Sequence, residues 1–307
     1  MGKHSAASTD QQTVSASTTS PRRSKRTLFS TVAVLLGVAL LLYPVVSTLW
    51  NNWAAQRVAE KYSQQVTETD QTKLDNEISR AVAYNKQKAA VTINDPWNNP
   101  LVTDDAGYEE YLSQLSLYNV MARLRIPAIG VDLPVLHGTS DYALSQGVGH
   151  LYGTDLPVGG EGTHAVLTGH TGIPKATLFD NLKDLKVGQS FYIDVYGQTL
   201  RYKVYKVQVV LPDQVDSLRV EKDRDLMTLI TCTPYGVNSH RLLVHAERAP
   251  YDPADEEAPG WHLPGQLWMW GFGLLALLAL ILLIVSTKSS KNRSLPRSGP
   301  DANEVKQ

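Results

Sequence analysis

The stretch TLITCTPYGVNSHRLLVHA, residues 228–246, has the pattern of two strands joined by a turn. Its two ends, within residues 226–231 and 241–246, are rich in the Leu, Ile, Val and Thr side chains that favour strands. A proline and a glycine lie between them, where the chain must reverse. Antiparallel pairing of the two strands would bring Cys232, at the end of the first, close to Arg241, at the start of the second.

Further short strands are predicted on the N-terminal side of this hairpin. They alternate apolar and polar residues or form short apolar runs, and they lie at residues 122–127, 130–136, 164–168, 190–195 and 200–210. The segment Tyr196-Gly197-Gln198 between the last two is a hairpin turn. Eight or so strands separated by regular turn signals predict a closed or nearly closed β-barrel, so the chain belongs to the mainly β class.

Helical patterns lie mostly before these strands. Residues 53–90 contain no Gly or Pro, and their sparse apolar side chains recur about every four positions, which predicts one or two helices on the surface of another part. Residues 108–118 suit another short helix, and 177–185 space Leu and Phe as on one helix face. Residues 94–105, with two prolines and Trp97, are predicted to form a loop.

Two long apolar runs free of charged side chains lie near the ends, at residues 28–49 and 267–285. Each has the roughly 20 residues that a helix needs to cross a bilayer. The flanks outside both runs are rich in Lys and Arg, which predicts cytoplasmic termini and an extracellular central segment. A cleaved signal peptide remains an alternative for the first run.

The charge of the central segment argues against a nucleic-acid partner. This segment holds 19 of the 29 basic and 27 of the 30 acidic residues, a net charge of −8. It therefore offers no surplus of positive charge to neutralise phosphates. Residues 1–20 are Ser-, Thr- and Gln-rich without periodicity and are predicted to be a disordered tail.

Cys232 is the single cysteine of the chain, so an internal disulfide is impossible. A lone thiol in an exported domain is either a small buried apolar group or a nucleophile. Cysteine-based acyl transfer also needs a proton carrier and a positive charge near the developing oxyanion. His170, beside glycines at a strand end, and Arg241 are the candidates. Taken singly, each of the three has an alternative explanation: Cys232 as a buried structural thiol, His170 as a turn histidine and Arg241 as a solvated residue at the start of a strand.

The other histidines are weaker candidates for the proton carrier. His164 lies at the far end of the same strand and is the fallback for His170. His240 is adjacent to Arg241 and would face the opposite side of an extended strand, and His245 lies inside the last strand. The remaining His, Asp and Glu residues show no spacing typical of metal ligands, so no metal is predicted.

Three blocks in the right order resemble the sortase family. TLITC at residues 228–232 is similar to the family signature T-L-x-T-C, and Arg241 follows at the family's spacing. TGHTG at residues 168–172 is similar to the T-G-H block. The resemblance covers residues 120–248. It implies an eight-stranded barrel that cleaves L-P-x-T-G-type sorting signals between Thr and Gly and transfers the acyl group to an amine.

The resemblance also implies roles for individual residues. Cys232 would be the nucleophile, His170 the general acid or base, and Arg241 the group that holds the substrate carbonyl or the oxyanion. Thr231 and Thr168, which precede the nucleophile and the glycine–histidine pair in these blocks, are assigned supporting or substrate-binding roles. No metal or organic cofactor is implied.

The subclass is indicated by CTPYGVN at residues 232–238, which resembles class C, or pilin-polymerising, sortases. The second apolar run after the barrel resembles that class as well. The implied partners are the membrane and pilin subunits that carry L-P-x-T-G-type signals and an acceptor Lys. A housekeeping sortase that attaches proteins to cell-wall peptide, and a non-catalytic membrane-tethered scaffold, remain as alternatives.

The tripeptide Asp95-Pro96-Trp97 resembles the lid that lies across the active site of class C sortases. An acidic side chain at this place could pair with Arg241, and an indole could cover the sulfur of Cys232. The expectation is therefore an active site closed by a segment of its own chain.

The predicted organisation follows from these readings. A cytoplasmic tail (residues 1–27) comes first, followed by a transmembrane helix or signal anchor (28–50) and a helical stalk with the lid loop (51–119). The catalytic barrel covers residues 120–250. A linker (251–264), a second transmembrane helix (265–286) and a second cytoplasmic tail (287–307) come after it.

Overall fold

The computed structural model describes residues 22–88, 93, 95–97, 106–253, 256 and 267–292. The predicted N-terminal tail to residue 21, most of the lid loop, most of the linker and the last fifteen residues lie outside this range. The described chain divides into two compact units. One is Tyr43–Gly271, and the other comprises the segments up to Leu42 and from Phe272 onward.

Eight strands form a closed barrel within the larger unit. They are β1 Ala122–Ile126, β2 Val131–His137, β3 Val148–His150, β4 Thr163–Thr168, β5 Ser190–Val195, β6 Gln198–Val210, β7 Asp225–Thr233 and β8 His240–Ala249. Their order around the barrel is β1-β2-β3-β4-β7-β8-β6-β5. The β2–β3 and β4–β7 pairs are parallel and the others antiparallel. The predicted mainly β, eight-stranded barrel is confirmed.

Alternation along the strands separates two apolar surfaces. The main core contains inward side chains such as Leu124, Leu167, Leu229 and Val244, all fully buried. A second, smaller cluster comprises Leu151, Val166, Leu218, Ile230 and Leu243. Neighbouring residues of a strand point to opposite faces, so on β7 Leu229 belongs to the main core and Ile230 belongs to the smaller cluster. The smaller cluster therefore lies on the outer face of the barrel.

Five α-helices accompany the barrel among the described residues: α1 Arg22–Glu68, α2 Gln71–Gln87, α3 Ala106–Leu112, α4 Asp141–Gln146 and α5 Leu267–Asn292. α1 is one continuous helix that contains both the first apolar run and the start of the predicted stalk. Asp70 caps α2 by accepting a hydrogen bond from the backbone N–H of Thr72 (3.0 Å). Tyr62 of α1 and Leu74 of α2 join the main core, as expected for helices on the surface of another part.

Two helix predictions are wrong in extent. Residues 177–185 form turns and a short 3₁₀ helix at Leu182–Asp184 instead of an α-helix. Leu178 has a φ of 39°, in the left-handed region that interrupts an α-helix. The helix predicted at 108–118 ends at Leu112, and Leu115, with a φ of 48°, lies beyond it. In both segments the apolar spacing reflects burial rather than helix.

Strand β3 and helix α4 were not predicted from the sequence. β3 has three residues, too few to show alternation. α4 has six residues, and its start is capped by Ser140, whose Oγ accepts a hydrogen bond from the backbone N–H of Ala143 (3.2 Å). The hairpin between β5 and β6 is confirmed. Its two turn residues, Tyr196 and Gly197, have positive φ angles of 45° and 84°.

Helices in both end regions are long and apolar enough to cross a membrane, by length and composition. The candidate spans are Leu28–Glu68 and Trp268–Ser286. Most of their apolar side chains, such as Leu36, Leu40 and Leu282, are exposed in the isolated chain. An apolar surface of this kind is typical of helices that contact lipid.

Candidate active site

The β7–β8 pairing places Cys232 directly opposite Arg241. Cys232 is 6% exposed, and it lies on the same face of β7 as Ile230 of the outer cluster. The next residue inward along the strand, Thr231, points to the other face. Cys232 thus faces the outer surface of the barrel, in the groove lined by the outer cluster, and not the interior. It lies opposite Arg241, as the predicted hairpin requires.

Asp95 forms a bidentate ion pair with Arg241. Its Oδ1 accepts a hydrogen bond from Nε (2.6 Å) and its Oδ2 from Nη2 (2.8 Å). The side chains of Arg241 and Asp95 are only 5% and 7% exposed. Nη1 of Arg241 donates to the backbone carbonyls of Asn238 and His240 (3.0 and 3.1 Å). With all three guanidinium nitrogens engaged, Arg241 has little capacity left to hold a substrate oxygen.

Trp97 lies against both of the other candidates. The guanidinium carbon of Arg241 is 4.8 Å from the centre of the Trp97 ring. The indole Nε1–H donates to Nδ1 of His170 (3.3 Å), and the two ring centres are 6.2 Å apart. Since Nδ1 accepts this bond, a neutral His170 carries its proton on Nε2. Trp97 thus contacts His170 and Arg241, and a cover of the indole over the sulfur of Cys232 stays a prediction.

Two hydrogen bonds connect the residue before His170 to β7, the strand that carries Cys232. The hydroxyl of Thr231 donates to the carbonyl of Gly169 (2.7 Å), and the N–H of Gly169 donates to the carbonyl of Ile230 (3.1 Å). The residue before His170 is thus fixed to the two residues before Cys232. The supporting or substrate-binding role of Thr231 stays a prediction, and this contact with Gly169 is consistent with the supporting one.

Thr168 is placed differently from Thr231. It is fully buried opposite Ile230 in the β4–β7 register. Its hydroxyl has no hydrogen-bond partner among the described residues. A buried hydroxyl without a partner is costly, and this one lies two residues from His170.

The loop after His170 is held by a turn that sequence reasoning did not single out. The N–H of Phe179 donates to the carbonyl of His170 (3.0 Å). Oδ1 of Asp180 accepts from the hydroxyl of Thr171 (2.8 Å) and from the N–H of Gly172 (2.7 Å). A carboxylate ten residues from the histidine gives no local pattern, so the sequence carried no signal for this support.

Burial sets the protonation states of the candidate pair. Burial raises the pKa of the Cys232 thiol, Arg241 opposes the rise, and Asp95 adds to it. Burial lowers the pKa of His170, and the charge of Asp141 opposes this change. Both shifts favour a neutral thiol and a neutral imidazole. The closed arrangement is therefore a resting one, since the thiolate is the nucleophilic form.

The remaining histidines of the barrel have structural partners. Nε2 of His164 and Nδ1 of His245 bond to the hydroxyl of Thr228 (2.7 and 2.8 Å), and Nδ1 of His164 bonds to the carbonyl of Arg219 (2.9 Å). Burial lowers the pKa of both imidazoles, that of His245 to about 4. His164 is thus engaged in a buried network, which disfavours it as the fallback for His170.

An apolar pocket adjoins Arg241 on the outer face. Asp95 and Pro96 close it on one side, and its walls are formed by Leu151, Val210, Leu211, Pro212, Gln214, Val215, Leu218, Ile230 and Leu243. Its lining is largely apolar. In the part of the chain that the structure describes, no group of three or more His, Cys, Asp or Glu is arranged to hold a metal ion.

Comparison with known proteins gives a consistent family. Residues 124–249 match the family model for the sortase domain. The crystal structure of sortase C-1 from Actinomyces oris is 52% identical, covers 59% of this chain and 99% of its own length, and has a TM-score of 0.57. Sortase A from Corynebacterium diphtheriae is 44% identical, with 68% and 99% coverage and a TM-score of 0.60. Streptococcus pneumoniae sortase C is 36% identical, with 64% and 97% coverage and a TM-score of 0.58.

Proposed function

This chain belongs to the sortase family of transpeptidases, and from that premise we propose that it is a membrane-anchored, pilin-polymerising enzyme of the class C type. Cys232 is the nucleophile, His170 the general acid and base, and Arg241 the oxyanion-binding group. The substrate is the L-P-x-T-G-type sorting signal of a pilin subunit. The acceptor is a lysine ε-amine of another subunit.

The first half of the reaction forms a thioester. The Cys232 thiolate attacks the carbonyl carbon of the sorting-signal threonine, and the negative charge moves to the carbonyl oxygen, which the guanidinium of Arg241 stabilises. The imidazolium of His170 donates a proton to the leaving amine of glycine as the C–N bond breaks. The threonine remains bound to Cys232 as an acyl group.

The second half forms the isopeptide bond. A lysine ε-amine attacks the thioester carbonyl, and the neutral imidazole of His170 accepts its proton. The C–S bond breaks and regenerates the Cys232 thiolate. The atoms and charges balance without a metal, a redox partner or an organic cofactor, so this chain supplies every group that the reaction needs.

The observation that carries the class C proposal is the double engagement of the lid. Asp95 occupies the guanidinium of Arg241, and Trp97 occupies His170. A segment that covers two proposed catalytic groups at once suits an enzyme that must stay inactive until its protein substrate is present. This feature favours the pilin-polymerising reading over a housekeeping sortase. The solved Streptococcus pneumoniae sortase C has been described in connection with pilin substrate specificity.

The non-catalytic scaffold receives no support from the site. A scaffold needs no cationic partner for its only cysteine, whereas Cys232 lies opposite Arg241, which also lines the apolar pocket. The two apolar helices support anchoring in a membrane. We propose that both termini are cytoplasmic and that the barrel is outside the cell, as the flanking Lys and Arg residues predict.

The direct test is acyl transfer by the full-length chain with an L-P-x-T-G peptide and a lysine-containing acceptor peptide. Asp95→Ala is added to the reference enzyme and to every variant so that the lid does not block the site. Cys232→Ala should form no thioester and no isopeptide product, as measured by mass spectrometry. Arg241→Lys keeps the charge but loses the planar fork, and kcat/KM should fall about 100-fold. Product formation by Cys232→Ala at the rate of the reference enzyme would contradict the proposal.

A further inference from the structure

The part of α1 that follows the first apolar run is hydrogen-bonded to the loop beyond His170. Asn52 and Thr177 form a reciprocal pair: Nδ2 of Asn52 donates to the hydroxyl of Thr177 (2.7 Å), and the N–H of Thr177 donates to Oδ1 of Asn52 (2.9 Å). The amide of Asn51 donates to the carbonyl of Lys175 (2.9 Å), and the hydroxyl of Thr48 donates to a carbonyl one residue earlier in the loop (3.1 Å).

These hydrogen bonds all connect α1 to one short segment, residues 174–177. Three polar side chains within one turn of α1, those of Thr48, Asn51 and Asn52, bond to this segment. The partners are separated by about 125 positions in sequence, for example Asn52 and Thr177. Two of the four bonds satisfy backbone carbonyls and one a backbone N–H, so they fix the path of the loop rather than a single side chain.

Thr177 is connected in turn to His170. The N–H of Asp180 donates to the carbonyl of Thr177 (2.8 Å), which closes the turn that follows. That turn places the Asp180 carboxylate on Thr171 and Gly172, and the Phe179 N–H on the carbonyl of His170. A continuous chain of hydrogen bonds therefore leads from Asn52 to the backbone of the proposed acid–base residue.

The second apolar helix begins near the other proposed catalytic loop. Nε1 of Trp268, in the first turn of α5, donates to the hydroxyl of Tyr235 (3.4 Å), three residues after Cys232. The two loops also touch, since a Cβ on Gly172 would lie 3.0 Å from the backbone nitrogen of Gly236. The part of α1 that follows the first apolar run is thus bound to the loop after His170. The start of α5 is bound to the loop after Cys232, and these two loops contact each other.

We propose that Asn52 of α1 is a positioning residue for catalysis, which holds the 174–177 loop so that the His170 imidazole stays aligned with the groove. Thr48 and Asn51 assist it through the same loop. Turnover then depends on a helix segment that directly adjoins the membrane anchor. This inference rests on the proposed catalytic role of His170.

The test uses the full-length chain in detergent micelles, with Asp95→Ala added so that lid opening does not limit the rate. The variants are Asn52→Ala, Thr177→Val and Thr177→Ser, and the matched control is Gln56→Ala. Gln56 is exposed one turn later on the same helix. Steady-state kinetics with an L-P-x-T-G peptide are measured from about pH 5 to pH 9, normalised to the fraction of Cys232 that iodoacetamide labels.

Asn52→Ala and Thr177→Val should each lower kcat about 3- to 10-fold, the size expected for one or two lost hydrogen bonds, with KM unchanged within about twofold. Thr177→Ser keeps the hydroxyl and should retain the original kcat. The Asn52→Ala/Thr177→Val double variant should be no slower than Asn52→Ala alone, because Asn52→Ala already removes both bonds of the pair, including the one that Thr177→Val removes. The pH limb of His170 should move upward, because a looser loop admits water and relieves the burial that lowers its pKa.

A failure of the proposed function and a failure of the positioning role give different results in this test. If His170→Ala retains full transpeptidation, the proposed function is overturned. If His170→Ala is inactive while Asn52→Ala matches Gln56→Ala in kcat and pH profile, the positioning role alone is overturned. Equal kcat for Thr177→Val and Thr177→Ser would also overturn it, because the hydroxyl contact would then have no effect on turnover.

Discussion

At the scale of single residues, the Asp95–Arg241 pair modifies the pKa of the Cys232 thiol, which burial raises. Removing one charge of a buried pair leaves the other without compensation, so such pairs act as strong structural constraints. Here the constraint also has a chemical effect. Asp95 adds to the burial that raises the pKa of Cys232, and it occupies the guanidinium that would lower that pKa.

Asp95→Asn should therefore activate the thiol. The amide keeps the size of the side chain but loses its charge, so the pKa of Cys232 falls as Arg241 is freed and as water reaches the sulfur. A lower pKa means more thiolate at neutral pH. Alkylation of Cys232 by iodoacetamide at pH 7 should be about 3- to 10-fold faster, with the rate–pH midpoint moved to lower pH.

Asp184→Asn is the control for this change, since Asp184 is an exposed aspartate of the same barrel. It should leave the alkylation rate and its midpoint where they are in the unaltered chain. An Asp95→Asn profile that superimposes on this control would show that the lid carboxylate does not regulate the thiol. Among the lid residues that the structure describes, Trp97 would then be left as the one with a chemical role.

At the scale of elements, the junction between β4 and the His170 loop depends on one glycine. A Cβ on Gly169 would lie 2.7 Å from the ring of Phe179, which is fully buried beneath it. The carbonyl of Gly169 accepts from Thr231, so the backbone cannot move away without losing that bond. Only a residue without a Cβ allows the backbone at position 169 to approach the Phe179 ring this closely.

Gly169→Ala should lower the free energy of unfolding by about 2 kcal/mol, the usual cost of overpacking, and should lower kcat because His170 is displaced. Adding Phe179→Leu should recover part of both losses. Denaturant unfolding and peptide kinetics measure the two effects. Gly271→Ala, where a Cβ meets no heavy atom within 4 Å, is the control and should lower neither quantity, since alanine is favoured over glycine inside a helix such as α5. Equal stability of Gly169→Ala and this control would contradict the steric argument.

At the scale of the whole molecule, the two apolar helices should act as anchors. The chain should remain in the membrane fraction after alkaline carbonate extraction. In intact protoplasts, external protease should digest the barrel while tags at both termini are protected. A terminal tag that is digested together with the barrel would contradict the proposed orientation.

A shortened chain that lacks residues 265–307 tests the first apolar run separately. It should also remain membrane-bound, because residues 28–49 are long enough to span and stay attached as part of α1. Release of this shortened barrel into the medium would mean that the first run is removed as a signal peptide. Retention would mean that a single span is sufficient to anchor the enzyme.

The sequence by itself determined the features that repeat or act locally. Strand alternation predicted the barrel, and the turn between the last two strands predicted the contact of Cys232 with Arg241, because antiparallel partners joined by a short turn pair in a fixed order. Apolar length predicted the candidate spans. The segment 177–185 was misread, since burial of a turn and burial of a helix face can produce similar spacing.

Only the tertiary structure decided which distant residues meet. Asp95 and Arg241 are separated by 146 positions, and Asn52 and Thr177 by 125. Contacts at such separations follow from how the closed barrel packs against its helices and loops, and no period or spacing in one sequence encodes them. The resemblance of Asp95-Pro96-Trp97 to a lid suggested its target, but the contacts of Trp97 with His170 and Arg241 come from the structure alone, because the orientation of an indole is set by the three-dimensional packing around it.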